Sequence, residues 1–223
     1  MTTTPFAARP DRLVVMDVDS TLITGEVIEM LAGHAGSRDE VAAITDRAMR
    51  GELDFAASLR SRVATLAGLP VRVLGEVLGE VELTPGARAL VAGLRERGWP
   101  LGLVSGGFIE VVGPLAERLG IERRRANRLE VAGGYLTGRL VGAVVDRAAK
   151  AAALREWATE LRVPLDRTVA IGDGANDLQM METAGFSVAF NAKPVVAAQA
   201  DAAVTGRLDA ILELPPLLVP GTR

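Results

Sequence analysis

The run Arg12-Leu13-Val14-Val15-Met16-Asp17-Val18-Asp19-Ser20-Thr21 decides how this chain is read. Four consecutive apolar residues ending in a carboxylate form the pattern of a parallel strand buried on both faces, with a functional group at its C-terminal end. Two later stretches repeat the arrangement. Residues 100–105 (PLGLVS) run into Gly106-Gly107, and residues 168–172 (TVAIG) run into Asp173-Gly174-Ala175-Asn176-Asp177. Residues 188–190 and 202–204 are weaker strand candidates. Helix-period segments at 85–97, 109–119, 148–161 and 176–184 lie between them, several with Gly near the C-terminal end. Strands alternating with helices predict an α/β fold with a doubly wound parallel sheet, in which ligands sit beyond the C-terminal strand ends. All three polar clusters fall there.

The stretch 22–83 interrupts this alternation. Amphipathic helix patterns at 25–35, 39–50, 54–67 and 70–80, separated by Gly, Ser or Pro, read as a small helical bundle inserted after the first strand. The expected division is a catalytic core of 1–21 and 84–223 and a helical cap of 22–83. Residues 128–140 (RLEVAGGYLTGRL) predict a β-hairpin turning at Gly133-Gly134.

Composition narrows the chemistry. The 223 residues are 49% hydrophobic and 24% charged, an ordinary globular balance. The formal net charge of -3 gives no long-range attraction for nucleic acid or an anionic membrane, so neither is an expected partner. No charge-free apolar run approaches the ~18 residues of a membrane span. The segment MTTTPFAARPDR has no apolar signal core, and a cytoplasmic location is expected. With no cysteine and one histidine, His34, the chain has no thiolate nucleophile and no multi-imidazole zinc site. Catalysis is left to carboxylates, hydroxyls, Lys, Arg and backbone amides, and a catalytic metal should be a hard, oxygen-ligated ion such as Mg²⁺.

Asp17 and Asp19, two apart where a strand opens into a loop, can reach one face. One carboxylate could attack phosphorus while the other handles protons, dividing a hydrolysis into two steps through an aspartyl-phosphate. Taken alone, Asp-x-Asp is equally the pattern of a turn or helix cap. Asp173 and Asp177, at a second strand end, bring two more carboxylates to the same sheet edge, where they would repel one another unless a cation neutralised them. A divalent ion held by Asp17 and Asp173, with a backbone carbonyl and waters, would also screen the nucleophile from the phosphate. Ser105 with the amides of Gly106 and Gly107 offers a phosphate nest, and Lys150 a point charge.

In this order, the three clusters resemble the motifs of the haloacid dehalogenase superfamily of phosphatases. The form DVDST, the spacing of the clusters and the helical insert are similar to the phosphoserine phosphatase branch, from about residue 12 to 205. The resemblance implies that Asp17 is the nucleophile and Asp19 the general acid/base, the latter also touching Mg²⁺ through its main-chain carbonyl. It implies that Asp173 is the remaining protein ligand, and that Asp177 orients Lys150 or metal-bound water. Ser105, Gly106, Lys150 and Asn176 match phosphate-binding positions. Glu26 and Arg62 match the positions that receive the substrate's ammonium and carboxylate, and Met49 and Phe55 match apolar positions that close over it. His34 matches no catalytic position and is expected to be a cap-helix residue.

The resulting expectation is hydrolysis of O-phospho-L-serine to L-serine and phosphate, the last step of serine biosynthesis, by a monomer or homodimer. A hydrolase of the same chemistry on another small phosphomonoester is the first alternative, and a phosphotransferase to an alcohol such as homoserine the second. Many relatives carry an N-terminal regulatory domain. Fewer than twenty residues precede Asp17, so serine feedback through such a domain is not expected. The run 122–128 (ERRRANR) could suit nucleic acid, but in an acidic chain it is expected to be a solvated loop.

Overall fold

The structure is a computed structural model that describes residues 10–49, 52 and 54–218. Its seven strands are β1 (Leu13–Met16), β2 (Leu101–Phe108), β3 (Arg123–Ala132), β4 (Tyr135–Val141), β5 (Thr168–Gly172), β6 (Phe186–Phe190) and β7 (Ala202–Val204). They form one sheet in the order β4-β3-β2-β1-β5-β6-β7. Every pairing is parallel except that of β3 with β4, the expected hairpin, whose turn residues Gly133 and Gly134 have φ of 59° and 85°.

β1 shows why the sheet needs helices on both sides. Its four residues are fully buried, and they alternate between two separate clusters. Val14 and Met16 pack on the side that takes α5 (Ala87–Glu96) and α6 (Ile109–Leu119). Leu13 and Val15 pack with Leu154 and Trp157 of α7 (Arg147–Leu161). Met16 is in register with Leu103 of β2 and Ile171 of β5. The C-terminal ends of all three strands therefore lie at one sheet edge, which brings residues 17–21 and 173–177 together with 105–107, the last part of β2. Two short helices, α8 (Leu178–Thr183) and α9 (Pro194–Ala197), follow β5 and β6.

Between β1 and α5 the chain forms α1 (Val27–Ala35), α2 (Arg38–Met49), α3 (Phe55–Ala64) and α4 (Arg72–Glu80), as the periodicity predicts. The excursion begins and ends at an antiparallel bridge between Ile23 and Leu83. Its apolar residues, among them Leu31, Leu59, Val63 and Val77, join the sheet-face cluster of Val14 and Met16. It is also tied to the hairpin by backbone hydrogen bonds from Gly68 to Leu136 (2.8 Å), Leu136 to Leu69 (2.9 Å) and Val71 to Gly134 (3.0 Å). His34 stands in the last turn of α1, with Nε2 2.9 Å from Glu80 Oε1.

One expectation fails. The basic run 122–128 is not a solvated loop, because β3 starts at Arg123 and pairs with β2 from Gly102 onward. Arg124 pairs with Glu117 of α6 at 2.8 Å, and Arg125 with Glu156 of α7 at 2.7 Å. Long arginine stems cover apolar surface while their heads reach carboxylates on the flanking helices, so a strand here carries no apolar alternation.

Candidate active site

Asp17 has extended backbone, φ -68° and ψ 166°, and so continues the alternation of β1 toward the α7 side. There it meets Lys150, whose Nζ lies 2.7 Å from Asp17 Oδ2 and donates to Asp177 Oδ1 at 2.7 Å. Lys150 and Asp177 are fully buried and Asp17 is 4% exposed. Burial opposes the charge on Lys150, but Asp17 and Asp177 outweigh it and hold the ammonium above its ordinary range. For Asp17, burial and then the Asp177 charge raise the carboxyl well above its usual value, with Lys150 pulling the other way. Asp177 also accepts from the amide of Gly174 at 3.1 Å, and a side chain at Gly172 would collide with it. The lysine thus supplies part of the compensation that the carboxylates need.

Oxygens of Asp17, Asp173 and Asp177 lie within 4.8 Å of one another. All potential ligands there are hard oxygen donors, which fits a divalent ion of the Mg²⁺ kind and not a soft metal. Asp173 is held by Thr21 Oγ1, which donates to its Oδ1 at 2.8 Å. Burial is the main cause raising the Asp173 carboxyl above its ordinary value, an effect the Thr21 bond partly offsets.

Asp19 is oriented separately. Its Oδ1 accepts from the amide of Val27 at 2.9 Å and its Oδ2 from Ser105 Oγ at 2.9 Å, while Ser105 Oγ accepts from the amide of Gly107 at 2.7 Å. Burial raises the Asp19 carboxyl, and the Val27 and Ser105 bonds moderate the rise. A Cβ on Gly107 would come within 2.5 Å of Asp19 Oδ2, so the close approach of β2 to this carboxylate requires glycine. The loop after β1 is equally constrained. Ser20 has φ 57°, unusual for a residue other than glycine, and its hydroxyl donates to Glu26 Oε1 at 2.7 Å.

These groups border a cavity of about 620 Å³ between the sheet edge and the inserted helices. Asp17, Asp19, Gly106, Asp173 and Asn176 line it from the sheet edge, and Glu26, Phe55 and Arg62 from the insertion. The Phe55 ring would lie 3.1 Å from a Cβ on Gly106, so the helical segment is closed onto the C-terminal end of β2. Burial, reinforced by the charge of Asp19, lifts the Glu26 carboxyl from 4.5 to about 7. Burial lowers the Arg62 guanidinium, with Glu26, Glu29 and Asp19 opposing. Ser105, Lys150 and Asp177 stand behind the lining residues. The side chain of Met49 lies outside the described residues.

The family model of the haloacid dehalogenase-like hydrolases matches residues 14–182, from β1 through α8. The chain belongs to this family. It is 54% identical over 210 residues to a phosphoserine phosphatase of Mycobacterium tuberculosis, covering 94% of this chain and 51% of that protein. To the phosphoserine phosphatase of Streptococcus thermophilus it is 51% identical over 193 residues, covering 86% of this chain and 90% of that one. The chain spans about half the length of the mycobacterial relative and of one from Streptomyces coelicolor. Among solved structures, a phosphoserine phosphatase with an analogue of the phospho-aspartyl intermediate superposes with a TM-score of 0.86 at 40% identity, covering 91% of this chain and 98% of that one. A substrate-bound phosphoserine phosphatase gives 0.86 at 39% identity, covering 91% and 97%.

Several groups of this hydrolase site escape a reading of the sequence alone. Thr21 anchors Asp173, and Asn127 braces the C-terminal end of β2, donating to Gly106 O at 2.8 Å while its Oδ1 accepts from the Val145 amide at 2.8 Å. Asn127 is 2% exposed inside a strand, a burial that its basic sequence neighbours do not signal. Arg147 and Lys193 stand exposed at the cavity, in positions that no motif marks. Lys193 is one of only two lysines in the chain, and the other is Lys150.

Proposed function

We propose that the chain hydrolyses O-phospho-L-serine to L-serine and phosphate through a phosphorylated Asp17. The observation that carries the reading is one cavity lined by Asp17, Asp19 and Asp173 at the sheet edge and by the pair Glu26 and Arg62 from the inserted helices. The first can transfer a phosphoryl group, and the second complements an ammonium and a carboxylate. The names of the relatives and the superposable structures support the same substrate. We read 22–83 as a cap on a core of 1–21 and 84–223, with closure excluding bulk water from the cavity.

Asp17 and Asp173, with the main-chain carbonyl of Asp19, would hold Mg²⁺. When bound, the ion offsets charge between the nucleophile and the phosphate. Lys150 fixes one Asp17 oxygen and the Val18 amide, at 2.7 Å from Oδ1, the other, so the carboxylate is oriented before substrate arrives. A carboxylate oxygen of Asp17 bonds to phosphorus as the P–O bond to serine breaks, and Asp19 gives its proton to the departing oxygen. The raised Asp19 carboxyl suits this donor role. In the second step Asp19 takes a proton from water, the water oxygen bonds to phosphorus, and Asp17 is released. Ser105, the amides of residues 105–107, Asn176 and Lys150 serve the phosphate oxygens.

The test is phosphate release with Mg²⁺ from phosphoserine, phosphothreonine, phosphoethanolamine and sugar phosphates, with and without alcohol acceptors. Phosphoserine should give the highest kcat/KM. Equal rates across the panel would sink the substrate assignment, and phosphate appearing on an added alcohol would favour transfer over hydrolysis.

A further inference from the structure

Helix α3 turns one stripe toward the cavity. Phe55, Ser58, Leu59 and Arg62 all line it, the i, i+3, i+4, i+7 spacing of a single helix face. Two polar groups on that stripe have no hydrogen-bond partner among the described residues. Arg62 Nε is buried and unbonded. Ser58 is 2% exposed, and although its amide donates to Asp54 O at 2.9 Å, its hydroxyl bonds to nothing.

A serine or threonine inside a helix commonly returns its hydroxyl to the carbonyl four residues back. Thr45 and Thr159 do so at 2.9 and 2.8 Å, and Ser58 does not. The Ser58 hydroxyl is instead left to donate into the cavity that the residue lines, one helical turn from the buried and unbonded Nε of Arg62. A guanidinium offers donors only, so a ligand shared with the adjacent hydroxyl must be rich in acceptors. The phosphate oxygens are served at the sheet edge, and Glu26 is the group suited to an ammonium.

We infer that Ser58 and Arg62 form a carboxylate clamp in the cap wall, with Ser58 Oγ donating to one carboxylate oxygen of the substrate and the Arg62 guanidinium to the other. The inference rests on the proposed reading that the substrate carries a carboxylate beside its phosphomonoester. It adds a specificity residue that no motif marks, found from its place on the stripe between Phe55 and Arg62.

The experiment compares kcat/KM for phosphoserine and for phosphoethanolamine, which lacks the carboxylate, in wild type and Ser58→Ala. The expected result is a roughly tenfold loss on phosphoserine and less than about a twofold loss on phosphoethanolamine, a hydrogen bond to a charged group being worth ~1.5–3 kcal/mol. Alanine is the best helix former and the Ser58 hydroxyl bonds to no described residue, so Tm should hold or rise. In an Arg62→Ala background the same substitution should add less than about a twofold loss, because the clamp acts as a unit. Equal losses on both substrates with a lower Tm would make Ser58 structural, and an unchanged phosphoserine kcat/KM would leave it no role. A wild-type selectivity ratio near one refutes the phosphoserine reading and the clamp together, whereas a high ratio that survives Ser58→Ala refutes the clamp alone.

Discussion

Replacing Glu26 by glutamine should make the protein more stable at pH 8 and worse at choosing its substrate. Burial and the neighbouring Asp19 move this carboxyl from 4.5 to about 7. Between those values the native state binds a proton that the unfolded chain has released, so stability falls as pH rises from about 4.5 to about 7 and stays low above. At ~1.4 kcal/mol per tenfold change in proton affinity, keeping Glu26 ionised at pH 8 costs about 3 kcal/mol, and partial contact with the solvent in the cavity reduces this to roughly 2. Glutamine preserves an acceptor for the Ser20 hydroxyl, which donates to Glu26 Oε1 at 2.7 Å, and carries no charge. In a chain of this size ~1 kcal/mol moves Tm by ~2–4 °C, so Glu26→Gln should melt ~4–8 °C above wild type at pH 8 without added metal. The gap should close near pH 5, where Glu26 is protonated in the native protein. Removing the Glu26 charge also relieves Asp19 and Asp173, whose charges act on it, and that relief stabilises the variant in the same direction. Scanning fluorimetry from pH 5 to 8 measures this directly, and a variant that melts at or below wild type across the range would refute the reasoning.

Asp17→Asn should lower turnover by roughly a thousandfold or more and leave no labelled phosphate on acid-quenched protein, because the covalent step has no nucleophile. Lys150→Met leaves Asp17 and Asp177 buried without their shared cation. It should cost ~3–5 kcal/mol by urea denaturation at pH 8, less as pH falls and the carboxylates take up protons. Gly107→Ala drives a methyl group toward Asp19 Oδ2 and Ser105 Oγ, 2.5 and 3.0 Å from the added carbon. Turnover should drop roughly 10- to 100-fold while circular dichroism is unchanged, the damage being to the position of the proton donor. Lys193→Met should reduce kcat/KM for a dianionic phosphomonoester ~2–5-fold at low salt and converge on wild type at ~0.5 M salt, since an exposed charge acts over about a Debye length.

The strand ends were readable because covalent order carries them. A buried parallel strand must be apolar on both faces, so RLVVMD, PLGLVS and TVAIG announce themselves, and the polar residue that follows each is necessarily at the sheet edge. The inserted helices were equally legible from their period. The start of β3 was not, since Arg124 and Arg125 settle in a strand by pairing with Glu117 of α6 and Glu156 of α7, contacts that only the packing of those helices against the sheet provides.

Asp17, Asp19, Asp173 and Asp177 could be picked out as a chemical set from their spacing after strands, and the absence of cysteine with a single histidine removed thiolate and multi-imidazole chemistry as competitors. Their partners had to wait for the fold. Thr21 reaches Asp173 across 152 positions, Ser105 reaches Asp19 across 86, and Lys150 joins Asp17 to Asp177 only because α7 packs on the face to which β1 turns Asp17. Ser58 is distinguished by a hydroxyl left without a partner, which is a property of packing and not of its sequence neighbours. Local pattern specifies which residues stand at a strand end or on a helix face. Which of them meet, and how far burial moves their protons, depends on register and on the water that packing excludes.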